Sequence, residues 1–173
     1  MNRMNQYRLN LRQQKLNRNT RGYNVWTTVD RRQTVTASRT AVLLCDVWDN
    51  HPFRSAVERL EAIVPRMSFL VATARGKGAA IIHAPSDTMG SYTDSPARIR
   101  AQSLPPIEPP PDLGHEPLPF VAKINGSDTR ETNTTRNWTR QHAGIGIDED
   151  CDLISDNVKE VTASSDTARS SGS

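Results

Sequence analysis

Hydrophobic and polar positions follow two different patterns along the chain. Near the N-terminus, residues 7–16 partly alternate between apolar and polar side chains, and residues 23–29 are rich in residues that favour strands. A polar stretch that ends in glycine, residues 17–22, separates them. This arrangement predicts a β-hairpin with a longer loop. We expect its packed side to consist of three apolar residues, Leu11, Trp26 and Val29.

The centre of the chain has the pattern of a βαβ unit. Residues 40–47 form a nearly continuous apolar run, which is typical of a parallel strand buried on both faces. Residues 53–75 place apolar side chains at helical spacing, and we expect a kink or a fresh first turn at Pro65. Residues 79–84 form a second apolar run. We therefore expect adjacent parallel strands, joined by a helix that packs across them.

The rest of the chain is less regular. Residues 96–104 predict a short helix with proline in its first turn, whereas the proline-rich residues 105–119 exclude regular structure. Short strands are expected at 120–124 and around 145–154. These patterns divide the chain into a basic N-terminal arm with a β-hairpin, an α/β domain and a disordered tail, at residues 1–39, 40–161 and 162–173.

Charge is distributed unevenly between these parts. Residues 1–40 contain nine basic side chains and a single acid, whereas the remaining residues contain 13 basic and 18 acidic ones. A basic arm can bind nucleic acid or another anionic partner, but here the charges are interspersed with Asn, Gln and Thr. This favours a solvated sheet edge, and nucleic acid is not the expected partner. Because apolar runs of about 18 residues and a signal-peptide pattern are both lacking, we expect a cytoplasmic protein without a membrane span.

Polar side chains cluster where the two predicted parallel strands end. Asp46 ends the first strand, at the position where open α/β sheets bind ligands, and a partly desolvated carboxylate there can act as a base. Asp49, His51, His83 and Asp87 lie near the same rim. Simpler roles stay open, since Asp49 and His51 fit helix caps and His83 fits a hydrogen-bonded core histidine. Their spacing matches no metal motif, so we predict no metal or other cofactor.

Three sequence stretches carry a family resemblance. The isochorismatase-like proteins, or cysteine hydrolases, open with a pattern that resembles TAVLLCDVWDNH followed by AVERLEAIVPRMSFLVATARGKGAAIIHAPSDTMGSY. One divergent bacterial branch of the family has a later stretch similar to WTRQHAGIGIDEDCDLISD. The resemblance covers residues 7–161 and is weak over 85–137. It implies a Rossmann-like three-layer α/β/α domain with a central parallel sheet.

The resemblance also implies a catalytic set of Asp, Lys and Cys, in which the thiol attacks a carbonyl and forms a thioester. Asp46 matches the Asp position, and Lys123 is the best match for the Lys. The family's Cys follows a further strand beyond residue 161, where this sequence reads TASSDTARSSGS. Cys45 points away from Asp46 on its strand, and Cys151 lies among four acids that raise the pKa of a thiol.

We therefore expect a hydrolase-like domain for a small-molecule substrate with an amide or a related C–N or C–O bond. As written, the chain is expected to be truncated or disrupted and inactive, because the nucleophile segment is not found. Two alternatives stay open: an active hydrolase completed by a partner chain, and a non-enzymatic binding or interaction module on the same fold. An incomplete sheet would leave apolar edges, so we also expect a homo-oligomer or other self-association.

Overall fold

The computed structural model describes residues 5–105 and 137–156. Within these ranges the chain is mixed α/β: an antiparallel hairpin precedes a parallel sheet of three strands, with helices beside the sheet. Nearly all of the proline-rich segment, the strand expected at 120–124, the candidate Lys123 and the tail expected from residue 162 lie outside the described residues. Of the helices in the described ranges, none is both long and apolar enough to cross a membrane.

The hairpin consists of β1 (Gln6–Arg18) and β2 (Asn24–Thr36), which pair antiparallel along their full length. Asn19 shapes the turn, because its side-chain carbonyl accepts hydrogen bonds from two N–H groups of the turn, each at 3.0 Å. Gly22 has the left-handed φ of 84°, a conformation that glycine adopts without steric cost. The predicted hairpin is confirmed, and it is longer than expected, chiefly because β2 continues well beyond residue 29.

The side chains expected to pack the hairpin are not buried. Trp26 is exposed, and Leu11 and Val29 are only half-buried. The hairpin contacts the rest of the chain near its base, where the Tyr7 hydroxyl donates to the carbonyl of Ala74 at 3.0 Å. The expected packed side was therefore wrong. Pairing two strands satisfies their backbone groups without burying either face, and burial needs a further layer of structure.

The central βαβ unit is confirmed. It consists of β3 (Ala41–Cys45), α1 (Arg54–Gly76) and β4 (Ala80–Ala84), and the two strands pair in parallel. The helix runs through Pro65 as one element, so the fresh first turn expected there is not formed. The neighbouring Val64 is buried in the core, which holds this part of the helix against the sheet.

The sheet has the order β3, β4, β5, in which the short β5 (Leu153–Ile154) pairs in parallel with β4. The central strand is buried over residues 81–84. By contrast, β3 lies at the edge: Leu44 is buried, whereas Leu43 and Cys45 are exposed. The expectation that the first parallel strand is buried on both faces was wrong, because within the described residues it has a neighbouring strand on one side only.

Three core clusters attach the helices to the sheet, one of them through Tyr92, Ala97 and Ile154. The largest one unites α1 with β3 and β4 and is built mainly from Leu44, Val64, Val71, Ala74 and Ile81. A smaller one joins Ile82 and Leu153 to Ala101 of α2 (Pro96–Gln102), the short helix that the sequence predicted. Successive residues of a strand point to opposite faces, so α1 and α2 contact opposite sides of β4.

Candidate functional site

A small cleft opens beyond the carboxyl ends of the parallel strands. Its volume is about 190 Å³, and it lies between the loop after β3, the first turns of α1 and the segment around His142. The loop contributes polar and aromatic groups and the helix an apolar floor; the lining residues are Asp46, Trp48, Asp49, Asn50, His51, Ala56, Val57, Leu60 and His142. Open α/β sheets bind ligands at this position, which makes the cleft the candidate site.

Asp46 directly follows β3 and has a left-handed backbone conformation, with a φ of 51°. Its N–H donates to the carbonyl of Ala84 at 3.0 Å, and its carboxylate oxygen Oδ1 accepts from the N–H of Ser86 at 3.3 Å. The carboxylate lines the cleft, but the residue is exposed. The expected partial desolvation of this carboxylate was therefore wrong, because the turn takes the residue out of the apolar surroundings of the strand.

Asp49 fastens a distant segment to the edge of the cleft. Its carboxylate accepts from the N–H of Thr139 at 2.8 Å, from the hydroxyl of Thr139 at 2.7 Å and from the N–H of Arg140 at 3.3 Å. Burial alone would raise the pKa of Asp49, but these hydrogen bonds outweigh it and lower the pKa. The carboxylate therefore has a structural role, and it does not cap α1.

His51 belongs to an aromatic cluster beside the cleft. Its Nδ1 accepts from the N–H of Phe53 at 3.0 Å, next to the start of α1, so the ring proton is on Nε2. The ring stacks on Trp138 at 5.5 Å between centroids, and Trp138 stacks on Trp48 at 4.2 Å. The indole N–H of Trp48 donates to the carbonyl of Ser86 at 3.0 Å. These contacts fix the orientation of the His51 ring. The ring does not cap α1, because the helix begins after Phe53 without a side-chain capping hydrogen bond.

His142 was not among the residues singled out from the sequence, yet it lines the cleft. Its Nδ1 accepts from the N–H of Gly144 at 3.0 Å, and its Nε2 donates to the Glu61 carboxylate at 2.9 Å. Both ring nitrogens are thus engaged, so His142 forms part of the wall and does not offer a free nitrogen. The backbone N–H of His142 donates to the carbonyl of Val47. This bond continues a backbone pairing in which the N–H of Asp49 donates to the carbonyl of Arg140.

His83 is a core histidine, as the simpler interpretation held. It is 0% exposed, and its ring nitrogens contact the side chains of Gln141 at 2.8 Å and Asp152 at 3.0 Å. Asp152 also accepts from Arg75 Nε at 2.9 Å. Burial alone would raise the pKa of Asp152, but the hydrogen bonds from His83, Arg75 and the N–H of Asp148 outweigh it and lower the pKa far below its usual range.

The remaining candidates do not reach the cleft. Asp87 is exposed on the turn after β4, with a φ of 62°, and lies outside the cleft lining. Cys45 is exposed on the edge strand. Partial burial and the neighbouring Asp148 and Asp152 raise the pKa of Cys151 to about 11, which keeps its thiol protonated near neutral pH. Across residues 5–105 and 137–156, no group of three or more His, Cys, Asp or Glu side chains is arranged to hold a metal ion.

The segment 138–142 is the part of the site that sequence reasoning missed. It supplies an aromatic ring and a histidine to the cleft region and pairs antiparallel with the loop after β3, through a bridge between Trp48 and Gln141. The sequence signal for this segment was its place in the stretch WTRQHAGIGIDEDCDLISD, which carries the family resemblance but shows no alternation of apolar and polar residues at 138–142.

No family model, curated protein or solved structure matches the chain. The isochorismatase-like resemblance therefore rests on the sequence stretches that carry it.

Proposed function

We propose that the chain is a small-molecule-binding α/β domain of the isochorismatase-like kind, with its ligand in the cleft beside Asp46. The observation that carries this proposal is the set of groups at the cleft: a carboxylate acceptor and an imidazole N–H donor beside an apolar floor. This pair fits a carboxamide, which offers an N–H donor to Asp46 and a carbonyl acceptor to His51 Nε2.

The family resemblance supports the same position for the site. Asp46 matches the family's catalytic Asp, and it lies at the carboxyl end of a parallel strand that is part of a βαβ unit. The contacts of α1 and α2 with opposite sides of β4 agree with the Rossmann-like three-layer arrangement that the resemblance implies. We include that arrangement in the proposal.

We propose that the chain binds this ligand but does not hydrolyse it. The family's amidase reaction needs a thiolate at the substrate carbonyl, and the cysteines of the described residues do not meet this need. Cys45 lies outside the cleft, and Cys151 has a pKa raised to about 11. Lys123, the match for the family's Lys, remains part of the proposal through the resemblance alone.

A titration with nicotinamide, followed by the backbone amide signals of the ¹⁵N-labelled chain, tests the binding. We expect the largest shifts at residues 46–51 and Val57. Asp46→Asn should weaken binding about 10-fold or more, because it removes a charge-assisted hydrogen bond. Asp87→Asn is the matched control, since Asp87 is also exposed with a left-handed φ but lies outside the cleft. Equal effects of the two variants would contradict the proposal.

Hydrolysis is tested separately by ammonia release from nicotinamide. We expect no release above that of the Asp46→Asn variant, because the described residues offer no activated thiol at the cleft. Turnover that disappears in Asp46→Asn would instead support an active hydrolase, with the nucleophile supplied by a partner chain or by another part of the protein.

A second candidate function is a non-enzymatic interaction module on the same fold. The observation that favours it is the hairpin, whose outer part lies away from the sheet with its apolar residues Leu16, Tyr23, Val25 and Trp26 exposed. A chain that fails to bind nicotinamide but associates through the hairpin would fit this second function.

A further inference from the structure

The hairpin is amphipathic across its two faces. Directly paired residues of an antiparallel ladder share a face, so the register assigns every side chain. One face, here called the apolar face, carries Tyr7, Leu9, Leu11, Val25, Val29 and Val35, with two basic side chains, Lys15 and Arg31, among them. The opposite face carries most of the charge, including Arg8, Arg12, Arg18 and Arg32, and also the exposed pair Leu16 and Trp26. Apart from Gln6, all half-buried residues of β1 and β2 belong to the apolar face.

The apolar face continues into a groove on α1. The groove has a volume of about 520 Å³ and lies between the base of the hairpin and the helix, where Tyr7 and Leu9 meet Val42, Phe69 and Leu70. Phe69 is 74% exposed, the highest value among the large hydrophobic residues that the structure describes. The hairpin and the groove therefore form one largely apolar surface, interrupted by Lys15, Arg31 and Arg66. Exposed surfaces of this kind mark interaction sites, and an isolated two-stranded ribbon is at best marginally stable in water.

We propose that this surface is covered by the same surface of a second copy of the chain, in a two-fold dimer. It carries both an apolar strip and an apolar groove, so a two-fold axis can place each strip along the groove of the other copy. At roughly 3.3 Å per residue the 13-residue strands reach about 43 Å. This length exceeds the diameter of about 35 Å that we expect for the α/β part of the chain after residue 40, here called the body.

Charge favours a second copy over a nucleic acid. The arm of residues 1–40 contains nine basic side chains and one acid, whereas the remaining residues have an excess of five acids. Lys15 and Arg31 lie on the apolar face itself, so an arm that lies across a second copy brings these two positive charges to a net negative body. A nucleic acid would occupy the basic face and leave the apolar face uncovered. The inference names a partner for one face of the hairpin: of the exposed residues that favour the second candidate function, Val25 is on the apolar face, whereas Leu16 and Trp26 are on the opposite face. It does not depend on what the cleft binds.

Light scattering on a size-exclusion column tests the dimer, with the full chain at about 1 to 100 µM so that a dissociation constant on the order of micromolar can be measured. Matched lysine substitutions separate the two faces of the hairpin. Val29→Lys places a charge on the apolar face, and Thr28→Lys places the same charge on the opposite face one residue away. Phe69→Lys tests the groove at a side chain that is mostly exposed.

We expect the wild type to have the mass of two chains. Val29→Lys and Phe69→Lys should each raise the dissociation constant about 30-fold or more, since a buried unpaired charge opposes association. Thr28→Lys should leave the constant within about 3-fold. Circular dichroism melts of the variants should show the body still folded, which separates loss of the dimer from loss of the fold.

Three results would overturn the inference: a monomer at the highest concentration, growth beyond two chains without a limit, or equal effects of the Thr28 and Val29 variants. Binding of a DNA duplex that is lost in Arg12→Gln but kept in Val29→Lys would assign the hairpin to nucleic acid instead. A nicotinamide titration that fails while the dimer behaves as expected would remove the cleft proposal alone.

Discussion

The hairpin and the parallel sheet are both built from strands rich in apolar and β-branched residues, yet their environments are opposite. In β4, residues 81–84 are all buried, whereas β1 and β2, each of 13 residues, contain none that the structure classes as buried. The difference lies in the neighbouring elements, because β4 has a strand on either side and a helix against each face. Strand pairing alone forms a ribbon, and burial of side chains comes from the second layer.

This contrast predicts that the stability of the chain comes from the body and not from the hairpin. The largest single contribution that we expect within the body comes from the buried ionic network around Asp152. Asp152→Ala should lower the free energy of unfolding by about 3–5 kcal/mol, because it leaves Arg75 and His83 without their shared partner. Asp150→Ala, in the same loop but exposed, should change it by less than about 0.5 kcal/mol. Urea titrations of both variants measure the difference, and similar losses would contradict the network.

The same network has a pH dependence with a defined sign. The pKa of Asp152 is lower in the folded state than its usual value of about 3.9, so its stabilising contribution is fully present above that pH. It is lost as the pH falls below about 4 towards the folded-state pKa. The difference in stability between the wild type and Asp152→Ala should therefore shrink as the pH falls below about 4.

The next prediction compares two neighbouring residues within the sheet. Leu43 and Ile82 pair directly across β3 and β4 and share a face, but Leu43 is 43% exposed and Ile82 1% exposed. Ile82→Ala should cost about 2–5 kcal/mol, because it leaves a cavity between β4 and α2. Leu43→Ala should cost less than about 1 kcal/mol. Chemical denaturation of the two variants would break the edge-and-centre description if the losses were alike.

The sequence predicted the elements of this body better than their positions in the sheet. The strand–helix–strand order follows from two apolar runs and a helical stripe, all of which are local patterns. Which run is central depends on the pairing of β5, which lies within the short strand predicted around 145–154 but whose two residues do not indicate their neighbour in the sheet. The exposure of Leu43 and Cys45 follows from that long-range pairing, so composition alone did not indicate it.

The site shows the same division between local and long-range information. The place of Asp46 at a strand end and the core role of His83 follow from local sequence, whereas the helix cap expected from His51 is not formed. The contact of Asp49 with Thr139 spans 90 residues, and Asp152, the partner of His83, is one of four closely spaced acids. Long-range partners of this kind have no signal in a single sequence.

A smaller effect is expected where the cleft wall meets the core. A Cβ added at Gly144 would lie 2.5 Å from Cγ1 of the buried Val64 and 3.0 Å from Nδ1 of His142. Gly144→Ala should therefore cost about 1–3 kcal/mol and shift the ring signals of His142. At Gly146 a Cβ would meet no atom within 4 Å, so Gly146→Ala should be nearly neutral. Thermal melts and histidine NMR signals of the pair check this, and a neutral Gly144→Ala would mean that the segment gives way.

The smallest effect belongs to the hairpin. Arg12 and Asp30 form a cross-strand ion pair at 2.8 Å, with side chains that are 74% and 67% exposed. Exposed pairs contribute about 0.2–1 kcal/mol, and salt screens them. Amide hydrogen exchange in β1 and β2 measures the free energy of opening the hairpin. A double-mutant cycle with Arg12→Gln and Asp30→Asn should give a coupling free energy in this range, and nearly none in about 1 M salt. The melting temperature of the body should not change, because neither side chain contacts it. A coupling above about 2 kcal/mol, or a shifted melt, would show that the hairpin and the body unfold together and would end the contrast between them.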